Sequence, residues 1–272
     1  MSMTDKAVIL ARGLGTRMRK ADDGAPLDAA QAAVADTGVK ALMPVGEGRP
    51  FLDYVLTALA DAGYRRICLI VGPEHGALFA RYGGGRLRRL GIDFAVQEKP
   101  LGTADAVRAA EAFAAGDEFL VVNSDNYYPP EALRTLRETS GGALAGFRRE
   151  GLLRGNIAAE RIEKFAVLDV DPYGFLRRIV ENPDPAILRS LSGPVRVSMN
   201  CWRFGPWIFP ACRSVSPSPR GELELPAAVQ FAVDRLGQRL RVLDFDLPVL
   251  DLSCRADVAT VRDRVARLGV NL

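Results

Sequence analysis

The chain has a single histidine, His75, among 272 residues. That excludes histidine-rich metal sites, and a Ser-His-Asp triad would have to use this one residue, which sits in the loop-like run Gly72-Pro73-Glu74-His75-Gly76. The four cysteines, Cys68, Cys201, Cys212 and Cys254, form no C-x-x-C pair, so reduced thiols in a cytoplasmic protein are expected. No apolar run approaches the roughly 20 residues that span a bilayer, and no charged-then-apolar leader is seen, so neither membrane insertion nor secretion is expected. An excess of one charge is lacking too. With 36 basic and 33 acidic residues the net charge is +3, too small and too evenly spread to argue for nucleic acid. A local basic site for a phosphate ligand is compatible with that balance. What remains is an ordinary globular composition, 48% hydrophobic and 25% charged, on a chain long enough to bury a real core.

The first half alternates short β-rich runs with helical patterns. Lys6 to Leu10, Arg66 to Val71, Phe94 to Val96 and Phe119 to Asn123 read as strands. Phe51 to Ala62, Thr103 to Ala114 and Pro130 to Thr139 read as helices, with Thr103 as an N-cap. Such alternation predicts an α/β fold, with a mostly parallel central sheet and helices on both faces. Ligands of such sheets bind beyond the C-terminal ends of the strands. The second half is richer in strands. Phe165 to Val170 and Leu176 to Val180 flank the turn Asp171-Pro172-Tyr173-Gly174 and predict a hairpin. Val195 to Phe204, Leu240 to Phe245 and Val249 to Leu252 are further strands, with helices over Leu225 to Leu236 and Ala256 to Leu268. One domain over 1–272 is expected, with a nucleotide-binding half (1–140) and an acceptor half with a closing helix (141–272). Ala21 to Gly38, rich in Ala and Asp, reads as an inserted loop or short helix.

Five places carry chemistry. Gly13-Leu14-Gly15 after the first strand lets backbone N–H groups approach phosphate oxygens, and Thr16 and Arg17 add a hydroxyl and a charged fork. It is neither a Walker A loop nor a full G-x-G-x-x-G, and a tight strand-to-helix turn would give the same two glycines. Lys40 precedes an apolar run, where a surface lysine is also common. Gln97 to Asp105 runs from a strand end into a helix N-terminus, where an amide side chain and free N–H groups can meet a base edge and phosphates. Asp125 follows a buried strand, as a metal ligand or as a turn residue, and Asp251 is a second strand-end carboxylate.

Together these segments resemble the sugar-1-phosphate nucleotidyltransferases, also called nucleotide-sugar pyrophosphorylases. Ile9 to Met18 resembles the family's opening G-x-G-T-R loop, and Lys40 to Tyr54 its lysine run and following helix. Gln97 to Ala106 is similar to the base-reading segment, Asn123 to Asp125 to the metal strand, and Ile179 to Pro183 to the E-K-P motif. Met199 to Phe204 resembles N-x-G-x-Y-x-F, and Gly221 to Leu225 and Asp251 to Asp257 the closing segments. The resemblance implies a Rossmann-like nucleotidyltransferase fold and a Mg²⁺-dependent transfer from a nucleoside triphosphate, UTP or dTTP favoured, to a sugar 1-phosphate. It implies nucleotide contacts at Ala11, Gly13, Leu14, Gly15, Thr16, Arg17, Gln97, Gly102 and Thr103. Catalytic roles fall to Arg17, Lys40 and Asp125, metal binding to Asp125 and Asp251, and sugar binding to Glu181 and Asn200. No nucleic-acid or membrane partner is expected, and a homo-oligomer is left open. An appended left-handed β-helix domain is not expected.

The chain departs from the family pattern in several places. Arg12 stands where Gly or Ala is usual, to add a phosphate contact or to crowd the loop. The stretch between Arg17 and Lys40 is long, and its extra residues are expected to form a mobile lid over the triphosphate. Asn182 replaces the lysine of E-K-P, and of the nearby cations Lys164, Arg161 and Arg177, Lys164 is expected to supply the missing charge beside the sugar phosphate, because it directly precedes Phe165-Ala166. A catalytically weak nucleotide-sugar-binding regulatory module is the alternative. A glycosyltransferase would show a D-x-D pair, which Asp125-Asn126-Tyr127 does not supply, and a nicotinamide oxidoreductase would need the third loop glycine.

Overall fold

A computed structural model describes residues 3–272 apart from 21, 23, 85, 86, 191 and 192. Its strands, in chain order, are β1 (Lys6–Leu10), β2 (Arg66–Val71), β3 (Gly91–Val96), β4 (Phe119–Asn123), β5 (Asn126–Tyr127), β6 (Ala143–Arg148), β7 (Val167–Val170), β8 (Leu176–Val180), β9 (Arg196–Phe204), β10 (Arg241–Phe245) and β11 (Leu250–Asp251). Among the described residues nine of them form one sheet, in the order β10-β6-β9-β4-β1-β2-β3, with β7 on β9 and β8 on β7. The small antiparallel pair β5–β11 stands apart. β3, β2, β1 and β4 run parallel, and so do β6 and β10; β9 lies antiparallel between β4 and β6.

The near-continuous apolar runs of β1, β2 and β4 follow from burial on both faces, as parallel strands require. Alternate residues of β1 feed two cores: Ala7 and Ile9 pack with the helix Phe51–Asp61, and Val8 packs with Ile208–Ser214 and Leu225–Arg235. Helix Phe51–Asp61 is buried from Phe51 to Ala60, so it is apolar on nearly every side. Its one buried carboxylate, Asp53, is satisfied by the Tyr82 hydroxyl at 2.6 Å and by Arg81 at 2.8 Å. No helix among the described residues is long and apolar enough to cross a membrane.

The parallel sheet, both helix-covered faces and the β7–β8 hairpin agree with the sequence. Four details differ. β6 has no strong sequence signal because Ala-Leu-Ala-Gly is a poor strand former. The expected helix from Thr103 to Ala114 divides at Ala110 into Thr103–Ala109 and Glu111–Ala114. Thr103 does not cap its own helix; Gly102 holds that position, and the Thr103 hydroxyl accepts the Leu225 N–H (2.8 Å) at the start of another helix. In the insert, Ala29–Thr37 is a helix with Gln31 and Ala35 buried, closer packing than its weak patterning suggests.

Strand order reverses at β1, which leads to β2 and β3 on one side and meets β4 on the other. A crevice therefore opens beyond their C-terminal ends. A bulge in β9 shapes its far wall. The register passes from Leu144↔Trp202 to Gly146↔Ser198, so β9 advances four residues against two of β6. Asn200 takes the left-handed conformation (φ 55°) inside that bulge. The buried Tyr128 hydroxyl donates to the Met199 carbonyl at 2.6 Å and holds the bulge in place. Tyr128→Phe leaves this carbonyl without its donor, so a loss of about 1–2 kcal/mol is expected in urea unfolding. An unchanged midpoint would show that the bulge holds itself.

Candidate active site

The loop leaving β1 is anchored on both sides. The Ala11 N–H donates to Ile70 O (2.9 Å) and the Ser124 N–H to Leu10 O (3.1 Å). Gly15 is left-handed (φ 60°), and a Cβ there would lie 2.1 Å from Gly38 O, so a side chain is excluded on two counts. The helix Thr16–Arg19 follows at once, and the apolar Leu14 is left 48% exposed at the loop tip.

Two clefts open along this loop, of about 240 and 330 Å³. Both are lined by Gly13, Leu14, Lys40, Asn123 and Asp125, so they meet at the Lys40–Asp125 pair. The first runs past Ala11 to Gln97, Gly102 and Thr103. The second runs past Gly15, Thr16 and Arg17 to Asn200 and Asp251. These elements thus bring together every residue expected for the nucleotide and the metal. Of the three residues expected for the sugar, Asn200 lines a cleft; Glu181 and Lys164 line neither, and Lys164 is exposed.

The carboxylates come from two directions. Asp125 follows β4 and forms an ion pair with Lys40 Nζ. Its carbonyl accepts the Leu252 N–H at 2.8 Å, which draws β11 alongside. Asp251 is buried; Oδ1 accepts from Ser253 Oγ (2.8 Å) and Asn126 Nδ2 (3.3 Å), and Oδ2 pairs with Arg161. Arg161 also grips Asp257 at 2.7 Å. Burial first, and the negative charge of Asp125 second, push the Asp251 carboxyl up to about 6. A buried carboxylate beside a second negative charge is the kind of site that a hard dication relieves. Among the described residues no three His, Cys, Asp or Glu side chains converge. Mg²⁺ does not need three, since it is commonly held by one or two carboxylates with water and substrate phosphates. The donor set fits it.

At the other end of the site, Gln97 is buried and its orientation is fixed. Nε2 donates to Gly102 O (3.0 Å) and to Asp105 Oδ2 (2.9 Å), which leaves Oε1 as the acceptor for the cleft. Gly102 has φ 112°, and a Cβ there would meet Leu223 O at 2.5 Å. The backbone joins the two segments: the Leu223 N–H donates to Leu101 O (2.7 Å) and the Ala104 N–H to Leu223 O (2.8 Å). Arg12 does not crowd the loop. It is buried, with Nη2 on Glu98 O (3.2 Å) and near Glu74 (3.4 Å), and it folds over Gly72, where a Cβ would lie 2.5 Å from Nε.

Three residues make contacts in or beside the site that the sequence does not specify, although Arg161 is among the candidates for the charge missing at Asn182 and Glu222 lies in a closing segment. Arg161 holds Asp251, and Glu222 lines the first cleft. Arg220 pairs with Glu224 at 2.8 Å. Solvent reaches Glu181, yet partial desolvation of its carboxyl, and then the charge of Glu224, raise its pKa, while Arg220 opposes the rise. A charged residue directly before Gly221-Glu222-Leu223-Glu224 was the available signal for Arg220.

With this geometry in view, comparison with known proteins is informative. Residues 6–246 match the family model for nucleotidyl transferases. The glucose-1-phosphate thymidylyltransferase of Streptomyces antibioticus is 30% identical over 233 residues, covering 84% of this chain and 57% of that protein. The UTP–glucose-1-phosphate uridylyltransferase AglF of Haloferax volcanii is 25% identical over 257 residues, covering 93% of each. The chain thus spans little more than half the length of several curated relatives that it matches. A UDP-glucose pyrophosphorylase crystallised with UDP-glucose superimposes with a TM-score of 0.72 at 16% identity, over 96% of this chain and 99% of that one, which shows a shared fold. The chain belongs to the nucleotidyl transferase family, and the resemblance to its sugar-1-phosphate members read from the motifs is borne out.

Proposed function

We propose that the chain transfers a nucleotidyl group from UTP or dTTP to a sugar 1-phosphate and releases pyrophosphate. The observation that carries this reading is the meeting of two clefts at Lys40 and Asp125, one ending on a base-reading amide and the other on Asn200. A sugar phosphate has a second pKa near ~6, so the nucleophile is already anionic at neutral pH and needs no histidine base. His75 lines neither cleft. The barrier lies in bringing one anion onto another, so positioning and charge neutralisation are the tasks. The backbone from Gly13 to Thr16 cradles the triphosphate, and Arg17 and Lys40 offset its charge. Asp125 and Asp251 would hold Mg²⁺, which when bound supplies Lewis-acid neutralisation of phosphate charge. With a nucleoside triphosphate as donor, a cytoplasmic setting follows. A weakly catalytic regulatory module is not favoured, because the charged residues that turnover needs all line the two clefts.

The choice of base rests on Gln97. With Nε2 committed, Oε1 seeks a ring N–H. Uracil and thymine present one at N3, whereas cytosine and adenine present a bare ring nitrogen at the corresponding edge. The named activities of the thymidylyl- and uridylyltransferase relatives support the same choice. Guanine shares the ring N–H, so GTP is the informative competitor. For the acceptor, Asn200 and Glu181 would hold the sugar. Lys164 is the candidate to replace the charge missing at Asn182: it directly precedes Phe165, which lines the second cleft, whereas Arg220 is 75% exposed, pairs with Glu224 and lines neither cleft.

Three measurements test this reading through pyrophosphate release. Asp125→Asn should lower kcat on the order of 10²–10³-fold without changing the thermal midpoint, since it removes electrostatic stabilisation and no packing. Near wild-type turnover at saturating Mg²⁺ would remove Asp125 from the metal site. Gln97→Ala should narrow the preference for UTP or dTTP over CTP and ATP by about tenfold or more, the worth of a lost buried polar contact. Unchanged selectivity would assign base reading elsewhere. Lys164→Ala should raise KM for the sugar phosphate by roughly tenfold, the loss of one charge-assisted hydrogen bond, and Arg220→Ala should leave it unchanged. The reverse outcome would assign the charge to Arg220.

A further inference from the structure

Between the triphosphate loop and Lys40, the stretch from Asp28 to Gly38 is built as a fixed piece. Its helix Ala29–Thr37 opens with a capping box, in which the Gln31 N–H donates to Asp28 Oδ1 (2.8 Å) and the Asp28 N–H to Gln31 Oε1 (3.2 Å). Gln31 Nε2 then donates to Pro44 O at 3.0 Å, beyond Lys40, so the helix start is tied to the segment that follows the lysine. At the other end Gly38 is left-handed (φ 76°) and lies directly against the triphosphate loop, where a Cβ would meet Leu14 O at 2.6 Å. Arg19 donates to Thr37 O from Nε (3.1 Å) and Nη2 (2.6 Å). The Lys40 N–H is bonded to Gly38 O at 2.9 Å, so the last turn of the insert sets where the lysine leaves the backbone.

One guanidinium joins this piece to the rest of the site. Arg255 lies four residues beyond Asp251, in the segment that carries that carboxylate. Its Nε donates to Met18 O (2.9 Å), in the helix that continues the triphosphate loop, and its Nη2 pairs with Asp36 of the insert at 2.7 Å. The Arg255 side chain is 14% exposed and the Asp36 side chain 71% exposed. Resting on the transferase reading, we propose that Arg255 is a positioning residue: through Asp36 it clamps the insert to the triphosphate loop and so fixes Lys40 opposite Asp125. Arg255 touches no substrate in this role. It acts through the place at which Lys40 meets developing phosphate charge, where a displacement of about 1 Å can cost up to ~10²-fold in rate.

The test is a double-mutant cycle on kcat with Asp36→Asn, Arg255→Met and the pair. Positioning predicts that each single variant lowers kcat by about tenfold, that KM for either substrate moves less than about threefold, and that the double variant loses no more than the worse single. Exposed ion pairs contribute little to stability, so a merely structural pair would leave kcat unchanged. Asp36→Asn keeps the test sound if Arg255→Met folds poorly, because Asp36 is largely solvated. A kcat for Asp36→Asn within twofold of wild type, or additive losses in the double variant, would overturn the proposal. A second arm measures tryptic cleavage at Lys20, in the connection from loop to insert, which should be faster in Asp36→Asn than in wild type. If the wild type turns over no triphosphate with any sugar phosphate, the transferase reading has failed and this arm decides alone: faster cleavage upholds the clamp, and equal cleavage overturns it.

Discussion

Asp125 and Asp251 reach one cleft from β4 and β11, strands that do not pair with each other, and negative charges so close to one another and to a buried wall need compensation. Lys40 meets the first and Arg161 the second. Much of the local architecture is arranged around that need. The Leu252 N–H holds β11 to the Asp125 carbonyl, Ser253 and Asn126 fix the Asp251 side chain, and Asn156 fixes its backbone through two bonds of 2.8 Å. An apolar core could not supply these constraints, because packing fixes shape but not where a charge sits.

Elements whose chemistry is local were legible in the sequence. β1, β2 and β4 announce themselves because strands buried on both faces must be apolar throughout. Gly15 and Gly102 are readable because only glycine meets a positive φ or a close backbone approach, and both prove to need the two together. Asp125 and Asp251 stand out as lone carboxylates after apolar runs. Contacts made at long range were not legible. Nothing near Thr103 says that its hydroxyl serves a helix 122 residues away, and nothing near Arg161 says that its partner lies 90 residues on. The β9 bulge hides in an apparently regular strand, because the extra residues keep a strand-like composition and only their pairing with β6 reveals them.

The insert shows the same division. Its low hydrophobic patterning suggested a loose segment, and composition alone gave no reason to think otherwise. Its order comes from a capping box, one buried glutamine, a glycine-on-glycine contact and an arginine from the far end of the chain. Each is a single polar or backbone contact, so the segment is held without the apolar periodicity that sequence reading depends on.

The short backbone ladder between Leu101 and Leu223 has a consequence for how such a protein can change over generations. Gln97, Gly102 and Thr103 line the first cleft from one loop and Glu222 from the other, and the two loops are hydrogen-bonded to each other with no side chain tolerated at Gly102. An insertion or deletion in either loop would pull the ladder out of step. Variation in this cleft wall is therefore confined to side-chain replacement, at positions such as Gln97 and Glu222, while the lengths of both loops are inherited together.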